Sequence, residues 1–334
     1  MKKILITGAS GFIGGFIVEK AISRGYEVFA VVRKSSSKQF LQNPTIKFLE
    51  LSLYDKGKLT SELKALKDDH GLFDYVIHNA GITKANKRQQ FFDVNTQITN
   101  NLADAVKETE LVDKKFIFIS SLAAAGPGNE DNLKPIAIDQ NPHPVTAYGE
   151  SKLAAEEYLK TLQGLPYLIL RPTAVFGPRD TELLSLFQVV NKGFELYIGT
   201  DEQNLSFIYV EDLTEAVLTA MESPQVNKTY YISDGKRYLI KEYVAQIKAA
   251  LSKRTLKFKV PVGLVAVAAF LLEKLLGVIG KVPALNSEKM AELTSKNWVC
   301  DMEPFFNDIN FTPKYDLQTA VAETAEWYKK NNWI

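Results

Sequence analysis

The chain has 334 residues, of which 46% are hydrophobic and 24% charged, an ordinary composition for a globular protein. Its length exceeds the usual size of one hydrophobic core and predicts one large domain with an appended lobe, or two domains. The net charge of +1 gives no indication of a polyanionic partner, so we expect no nucleic-acid partner. The single cysteine, Cys300, excludes a disulfide framework and favours a reducing compartment, the cytoplasm. The three histidines are dispersed, and we expect no metal site.

The chain opens with a β-branched apolar run, residues 3–7, that meets a glycine-rich turn. Gly8, Gly11 and Gly14 follow with the spacing G-x-x-G-x-x-G, and a helical pattern begins at Phe12. A strand, a glycine turn and a helix in this order form the context of a dinucleotide-binding fingerprint. Glycine lets backbone N–H groups approach a pyrophosphate, and the helix N-terminus carries partial positive charge. The alternative is a tight strand–helix turn without a ligand.

The residues after the second predicted strand, 26–32, indicate which cofactor would bind. An acidic residue at this position accepts hydrogen bonds from the ribose 2′-hydroxyl of NAD. Here Arg33 and Lys34 stand instead, followed by three serines. Two cations suit a 2′-phosphate, so the sequence predicts NADP(H) in preference to NAD(H). The alternative is an ordinary solvated basic loop.

Further strands alternate with amphipathic helices, which predicts an α/β fold. The strands are expected at residues 46–51, 73–78, 115–119, 167–170 and 205–210, and the last helix is expected at residues 317–330. This alternation is typical of a Rossmann-type, doubly wound parallel sheet with helices on both faces. Ligands of such sheets bind outside the carboxyl ends of the strands, where Gly8, Arg33, Asn79 and Ser121 fall.

A tyrosine and a lysine after the predicted loop 126–144 could carry acid–base chemistry. Tyr148 and Lys152 are four residues apart and therefore share one face of the predicted helix. A tyrosine hydroxyl ionises near pH 10, and a neighbouring ammonium group favours its ionised form. Ser121, at a strand end, could hold a substrate oxygen. By itself such a Tyr-x-x-x-Lys pair also occurs by chance on solvated helices.

Six segments occur in the order seen in the extended short-chain dehydrogenases/reductases, and over nearly its whole length the chain resembles this family. The segments are residues 7–14, Asn79-Ala80-Gly81, Ser120-Ser121, Tyr148-x-x-x-Lys152, residues 171–178 and residues 207–212. The resemblance implies Ser121, Tyr148 and Lys152 as the catalytic set. It implies cofactor contacts at Gly8, Ser10, Gly11, Phe12, Ile13, Gly14, Arg33, Lys34, Ser52, Leu53, Asn79, Ala80, Gly81, Tyr148, Lys152, Pro172, Thr173 and Val175.

Two positions depart from the family pattern or have two interpretations. Ser52 stands where many members have aspartate beside the adenine. Asn95, expected at the start of a helix, matches an asparagine that supports the lysine through water in relatives. Its alternative role is a hydrogen bond that ends the helix.

The substrate branch rests on departures from the nucleotide-sugar members. Those usually carry an Arg-Asp pair before the strand at 207, where this chain has Asn204-Leu205-Ser206. The apolar segment after Val260 and the closing Trp327-Tyr328 look more like 3β-hydroxysteroid dehydrogenases and dihydroflavonol reductases. The resemblance implies an NADP(H)-dependent oxidoreductase that interconverts a secondary alcohol and a ketone on a largely apolar ring substrate.

Two alternatives stay open at this stage. The first is a nucleotide-sugar epimerase or dehydratase, which Lys84, Lys87 and Arg88 would favour unless they are solvated surface charges. The second is a cofactor-bound regulatory protein without turnover.

The predicted dinucleotide-binding domain covers residues 1–177, with 205–235 returning to it. Residues 178–204 and 236–334 would form a smaller, mostly helical substrate lobe. The longest apolar run, Val260 to Leu272, is shorter than the roughly 20 residues of a spanning helix, and we expect the apolar helix 261–279 to line the substrate pocket. Contact of this helix with a membrane surface is the less favoured alternative. The expected partner is a small-molecule substrate, and a homodimer is also possible.

Overall fold

The computed structural model describes residues 1–200, 202–278 and 287–334. Its strands are β1 (Lys3–Thr7), β2 (Glu27–Val31), β3 (Lys47–Leu49), β4 (Phe73–His78), β5 (Val112–Ile119), β6 (Tyr167–Pro172), β7 (Ala174–Phe176), β8 (Phe194–Ile198), β9 (Asn204–Leu205), β10 (Phe207–Tyr209), β11 (Lys228–Ile232), β12 (Tyr238–Leu239), β13 (Leu256–Val260) and β14 (Asn297–Trp298).

The helices are α1 (Phe12–Ser23), α2 (Lys56–His70), α3 (Arg88–Phe91), α4 (Ile98–Glu108), α5 (Ala147–Thr161), α6 (Leu184–Asn191), α7 (Val210–Glu222), α8 (Ile240–Leu251), α9 (Val262–Val278), α10 (Ser287–Thr294), α11 (Glu303–Asp308) and α12 (Leu317–Lys330). A π-helical stretch, Phe92–Gln97, joins α3 to α4, and a short 3₁₀ turn, Leu122–Ala124, follows β5.

Seven strands form the central sheet in the order β3-β2-β1-β4-β5-β6-β11, and every neighbouring pair is parallel. The chain builds outward from β1 to β3 and then crosses to β4 on the other side of β1. The carboxyl ends of β1 and β4 therefore flank the point where the strand order reverses, which is the ligand crevice of an open α/β sheet. The predicted doubly wound Rossmann-type fold is confirmed.

Both faces of the sheet are buried, which explains why its strands are continuously apolar rather than alternating. One face packs against α1 and α7, and the other packs against α2, α4 and α5. Leu59 and Leu63 of α2, one helical turn apart, are fully buried on the second face. Burial of such a side chain contributes about 1.5–3 kcal/mol to stability. The apolar periodicity in the sequence thus places the helices on the sheet.

The single strand predicted from Leu205 to Val210 is divided into β9 and β10, because the chain changes partners at Ser206. Before this residue β9 pairs with β12 and β14, and after it β10 pairs with β7. The Ser206 carbonyl accepts a hydrogen bond from the Thr173 hydroxyl at 2.6 Å, and its hydroxyl accepts one from the Cys300 N–H at 3.3 Å. These contacts from distant segments fix the break. Helix α7 then begins at Val210 itself.

A third core contains aromatic and aliphatic side chains from α6, α8, α12 and the strands β7, β8 and β10. Phe207 stacks on Tyr243 with ring centroids 4.5 Å apart. Strand β11 places residues 228–232 in the central sheet beside β6. The division at residues 177, 205 and 235 stays a prediction.

Helix α9 was expected to line a pocket, and for most of its described side chains this expectation is wrong. Leu264, Val267 and Leu271 are exposed, as is Leu272. Only Val265 and Ala269 are buried, since these two face Met290 of α10 while the other side of the helix has no protein layer over it in the described chain. The expected end of this segment at residue 279 lies outside the described residues. No described helix is long and apolar enough to cross a membrane.

A buried ion pair ties α5 to β6. The Arg171 guanidinium donates to the Glu156 carboxylate from Nη2 at 2.6 Å and from Nε at 2.9 Å. Glu156 is fully buried and Arg171 nearly so. The same carboxylate accepts a hydrogen bond from the Ser120 hydroxyl at the end of β5. One carboxylate therefore joins two strand ends to one helix.

Glu156→Gln should lower the free energy of unfolding by about 3 kcal/mol or more, because it leaves the Arg171 charge buried without its counter-charge. Urea unfolding followed by circular dichroism measures this. Lys160→Gln is the matched control, since Lys160 is half-exposed and its Nζ lies 3.9 Å from the same carboxylate. It should cost less than about 1 kcal/mol. Equal stability of Glu156→Gln and the parent would show that the pair does not hold the helix.

Candidate active site

The glycine turn after β1 is closed by contacts that only glycine permits. Gly8 has φ +66°, and a Cβ there would lie 2.6 Å from the Ala80 nitrogen. A Cβ on Gly14 would lie 2.1 Å from the Gly8 carbonyl oxygen. Both distances are far inside van der Waals contact. The two glycines bring the start of α1 close to the end of β4, as the sequence predicted for Asn79, Ala80 and Gly81.

The N-terminus of α1 fits a pyrophosphate. Gly11 occupies the N-cap, no described side chain caps the helix there, and the first turn holds no acidic residue. The first N–H groups of a helix lack intrahelical partners and carry partial positive charge. Ser10, Phe12 and Ile13 surround this end at the reversal point of the sheet. The turn therefore suits the phosphates of a dinucleotide, and no side chain of the turn repels them.

Arg33 and Lys34 lie in an exposed turn directly after β2. The Arg33 N–H donates to the Ser36 hydroxyl at 3.1 Å, and the Ser36 N–H donates back to the Arg33 carbonyl at 2.9 Å. Within the described part of the chain neither cation takes part in an ion pair. Both charges are therefore available to a phosphate at this edge of the crevice.

Ser52 and Leu53, the residues expected beside the adenine, lie after β3. The Glu62 carboxylate accepts hydrogen bonds from the Ser52 N–H at 2.7 Å and from its hydroxyl at 2.8 Å. The Leu53 carbonyl accepts from the Asn101 amide at 2.9 Å. Ser52 thus has its own acidic partner in the place where other members carry the acid themselves.

Ser121, Tyr148 and Lys152 come together at the carboxyl ends of the strands. Ser121 follows β5, and its hydroxyl oxygen accepts a hydrogen bond from the Ala123 N–H at 3.1 Å. Tyr148 lies in the first turn of α5, which Thr146 caps, and Ser121 is near enough to its hydroxyl to lower its pKa. The buried Lys152 Nζ donates to the Ile119 carbonyl at 3.0 Å. The structure therefore brings the three predicted residues to one place.

Asn95 does not lie at a helix start, so that expectation is wrong. It lies within the π-helical stretch between α3 and α4, where its amide holds both backbone groups of Ile82, at 2.8 and 3.0 Å. Its Nδ2 also donates to the Ser151 hydroxyl at 3.0 Å. A Cβ on Gly81 would lie 3.0 Å from Asn95 Oδ1 and 3.1 Å from Lys152 Nζ. Asn95 therefore positions the Gly81 turn beside the lysine.

The residues expected beside a nicotinamide, Pro172, Thr173 and Val175, lie at and just beyond the end of β6. The Thr173 N–H donates to the Ile232 carbonyl at 3.1 Å, and Thr173 is buried. They follow Arg171 directly, so the buried ion pair also fixes their position. Their contact with a cofactor stays a prediction.

Burial controls the ionisation of the two central groups. It raises the pKa of Tyr148 to about 12; the hydrogen bond from Ser121 opposes this shift, and the charges of Glu292 and Glu182 add to it. Burial lowers the pKa of Lys152 to about 8, against the attraction of Glu156. At neutral pH Tyr148 is therefore a protonated donor beside an ammonium that is close to its own ionisation range.

Two ion pairs, Lys84–Glu182 and Arg88–Glu150, lie near Tyr148, and we call this part of the molecule the entrance to the site. The sequence did not predict these pairs. Glu182 accepts from Thr83 at 3.1 Å and lies 3.0 Å from Lys84. Arg88 forms an ion pair with Glu150. Lys84 and Arg88 are thus paired with carboxylates at the surface, where the Arg88 side chain stays 61% exposed.

Glu156 was also missed, although its spacing offered a signal. It stands four residues after Lys152 and continues the face that begins at Tyr148. An acid on the same buried helix face as Lys152 is itself expected to be buried, and a buried carboxylate needs a cation in contact with it. Glu182 and Glu292 carried no such signal, since only the folded chain brings them within electrostatic range of Tyr148.

Comparison with known proteins agrees with this geometry. The sequence model of the NAD dependent epimerase/dehydratase family matches residues 4–233, from β1 through β11. The chain belongs to this family. It is an NAD(P)-dependent enzyme of the extended short-chain dehydrogenase/reductase superfamily.

Relatives with different substrates are about equally similar to this family member. A sterol-4-alpha-carboxylate 3-dehydrogenase of Dictyostelium discoideum is 26% identical, over 97% of this chain and 100% of the relative. A UDP-glucose 4-epimerase of Vibrio cholerae is 27% identical, over 99% and 97%. A ceramide reductase of Caulobacter vibrioides is 23% identical, over 99% and 96%.

A solved structure shows that the whole fold is shared. The UDP-glucose 4-epimerase of Thermotoga maritima, determined with UDP-glucose, superposes with a TM-score of 0.78 over 99% of both chains at 23% identity. Identity at this level shows the fold alone, so the substrate has to be argued from this chain's own residues.

Proposed function

We propose that this family member is an NADP(H)-dependent oxidoreductase that interconverts a secondary alcohol and a ketone on a largely apolar substrate, a ring compound of the sterol kind or another lipid. The observation that carries the proposal is the meeting of Ser121, after β5, with Tyr148 and the buried Lys152 on one face of α5. This set can move a proton to or from one oxygen atom.

Each residue of the set has one role in the proposal. The nicotinamide, when bound, supplies or accepts the hydride. Tyr148 donates the proton to the substrate oxygen during reduction and takes it back during oxidation. Ser121 hydrogen-bonds the same oxygen and stabilises negative charge that develops on it. The Lys152 ammonium lowers the cost of the tyrosinate that is left.

The charged entrance supports an apolar substrate over a sugar nucleotide. A diphosphate needs cations that are free to bind it. Near the entrance Lys84 and Arg88 are paired with Glu182 and Glu150, which a diphosphate would have to displace. Two of the relatives, the sterol-4-alpha-carboxylate 3-dehydrogenase and the ceramide reductase, are named for lipid substrates. The UDP-glucose 4-epimerases are the observation that favours the second candidate, a nucleotide-sugar epimerase.

A catalytic role also fits these three residues better than a purely regulatory role of the protein does. The three residues keep their acid–base geometry, which a non-catalytic cofactor-binding protein does not need. The proposal keeps the two-part division of the chain at residues 177, 205 and 235, with the substrate held between the parts, and a cytoplasmic location.

A substrate panel tests the proposal. Purified protein with NADPH should oxidise the cofactor in the presence of a 3-ketosteroid, a dihydroflavonol or a keto-ceramide, followed by NADPH absorbance. UDP-glucose should give neither NADPH oxidation nor UDP-galactose. Conversion of UDP-glucose, with every lipid ketone inert, would assign the chain to the epimerases instead.

Tyr148→Phe should lower kcat by about 100-fold or more, because the ring stays while the transferable proton is lost. NADPH affinity should change little. Steady-state kinetics and fluorescence titration separate the two effects. A kcat similar to that of the parent would show that another group carries the proton.

Arg33→Asp should reduce the preference for NADPH over NADH by about tenfold or more, because a charge-assisted hydrogen bond to the 2′-phosphate becomes a repulsion. Fluorescence titration with both cofactors measures the ratio. Lys64→Asp, an exposed charge reversal on α2, is the control and should leave the ratio unchanged. Equal affinity of the parent protein for both cofactors would contradict the assignment.

A further inference from the structure

Exposed hydrophobic side chains are concentrated on one part of the molecule. Of the seventeen exposed large hydrophobic side chains in the described chain, ten lie on β8, β13 and α9. We call them the apolar face; they are 40–65% exposed and comprise Phe194, Leu196, Leu256, Phe258, Val262, Leu264, Val267, Phe270, Leu271 and Leu272. Single exposed hydrophobic residues are normal, but a set of this size marks an interaction site.

The strands of the apolar face form one continuous ribbon. Strands β8 and β13 pair in parallel, with Leu256 opposite Phe194 and Phe258 opposite Leu196. Side chains alternate along a strand, so these four share one side of the ribbon. The rings of Phe194 and Phe258 are 6.2 Å apart.

Helix α9 extends this face. It begins directly after β13, and its buried Val265 and Ala269 pack with Ile198 and Val260 at the end of the ribbon. Leu264, Val267 and Leu271 recur at helical spacing on the side away from Val265. The first part of α9, residues 262–272, thus lies on the ribbon and presents a row of exposed aliphatic side chains.

The border of the apolar face is basic. Lys253 and Arg254 lie directly before β13, and Lys192 lies before β8; all three are exposed. From Leu251 to Leu272 the sequence has no aspartate or glutamate. Glu195, the acid on β8, is bound by Lys248 and by the hydroxyls of Thr255 and Tyr197. An apolar centre with a cationic border is what an interfacial protein presents to anionic lipid.

We propose that the apolar face docks on a bilayer that contains anionic phospholipids, with α9 lying in the interface. No described helix can span a membrane, so this contact is peripheral. The border argues against a second copy of the chain as occupant. In a two-fold contact the same surface meets itself, so its three border cations would be brought close to three more. Docking is independent of the reaction and is measured without turnover.

The test is sedimentation of the full chain with vesicles of phosphatidylcholine alone and of phosphatidylcholine mixed with phosphatidylglycerol. We expect binding to the mixed vesicles that weakens with added salt, because the cations are at the surface. The double variant L264E/V267E should bind the mixed vesicles at least about tenfold more weakly than the parent, because it places two charges in the apolar centre. K253E/R254E should lose roughly tenfold by reversing two border charges.

Leu72→Glu is the control, because Leu72 is an exposed leucine before β4, outside the apolar face, and it should bind like the parent. Circular dichroism checks folding, and if L264E/V267E does not fold, K253E/R254E decides the test. Failure of the parent to bind mixed vesicles would overturn the proposal, as would equal loss in L72E. A dimer seen by analytical ultracentrifugation without lipid and dissociated by L264E/V267E would assign the face to a second copy.

Discussion

The buried contact between Arg171 and Glu156 is the constraint on which the rest of the site depends. Two opposite charges removed from water are tolerated only when their geometry is well defined, and here two guanidinium nitrogens meet one carboxylate. Glu156 lies one turn after Lys152 and two turns after Tyr148 on α5. Holding Glu156 against β6 and Ser120 therefore fixes the height and rotation of that helix, and with them the reactive hydroxyl and ammonium.

The same burial that makes this contact necessary also tunes the chemistry. A dry site disfavours the charged forms of Tyr148 and Lys152, so their pKa values move in opposite directions, from 10.0 to about 12 for the tyrosine and from 10.5 to about 8 for the lysine. The tyrosine stays protonated and able to donate. The lysine keeps its charge at neutral pH through the nearby Glu156. One acid thus serves both the position and the ionisation of the pair.

Local patterns were sufficient for the sheet and for the residues at its edge. Strand 73–78 and the last helix, Leu317–Lys330, were predicted with the bounds that the structure has, because apolar periodicity and turn residues define them. The break at Ser206 and the carboxylates at the entrance could not be predicted, since their partners lie far away in sequence. The prediction that α9 lines a pocket failed for a related reason: an apolar run does not indicate whether protein or another apolar phase covers it.

The most direct test of this account is the ionisation of Lys152 in the cofactor-free protein. NMR titration of lysine side chains, with the Lys152 signal assigned by a Lys152→Arg variant, measures its midpoint. Because burial of the ammonium outweighs the attraction of Glu156, the midpoint should lie at about 8, well below the ordinary value of 10.5. A midpoint near 10.5 would mean that the lysine is solvated, and it would contradict a dry site held together by the buried ion pair.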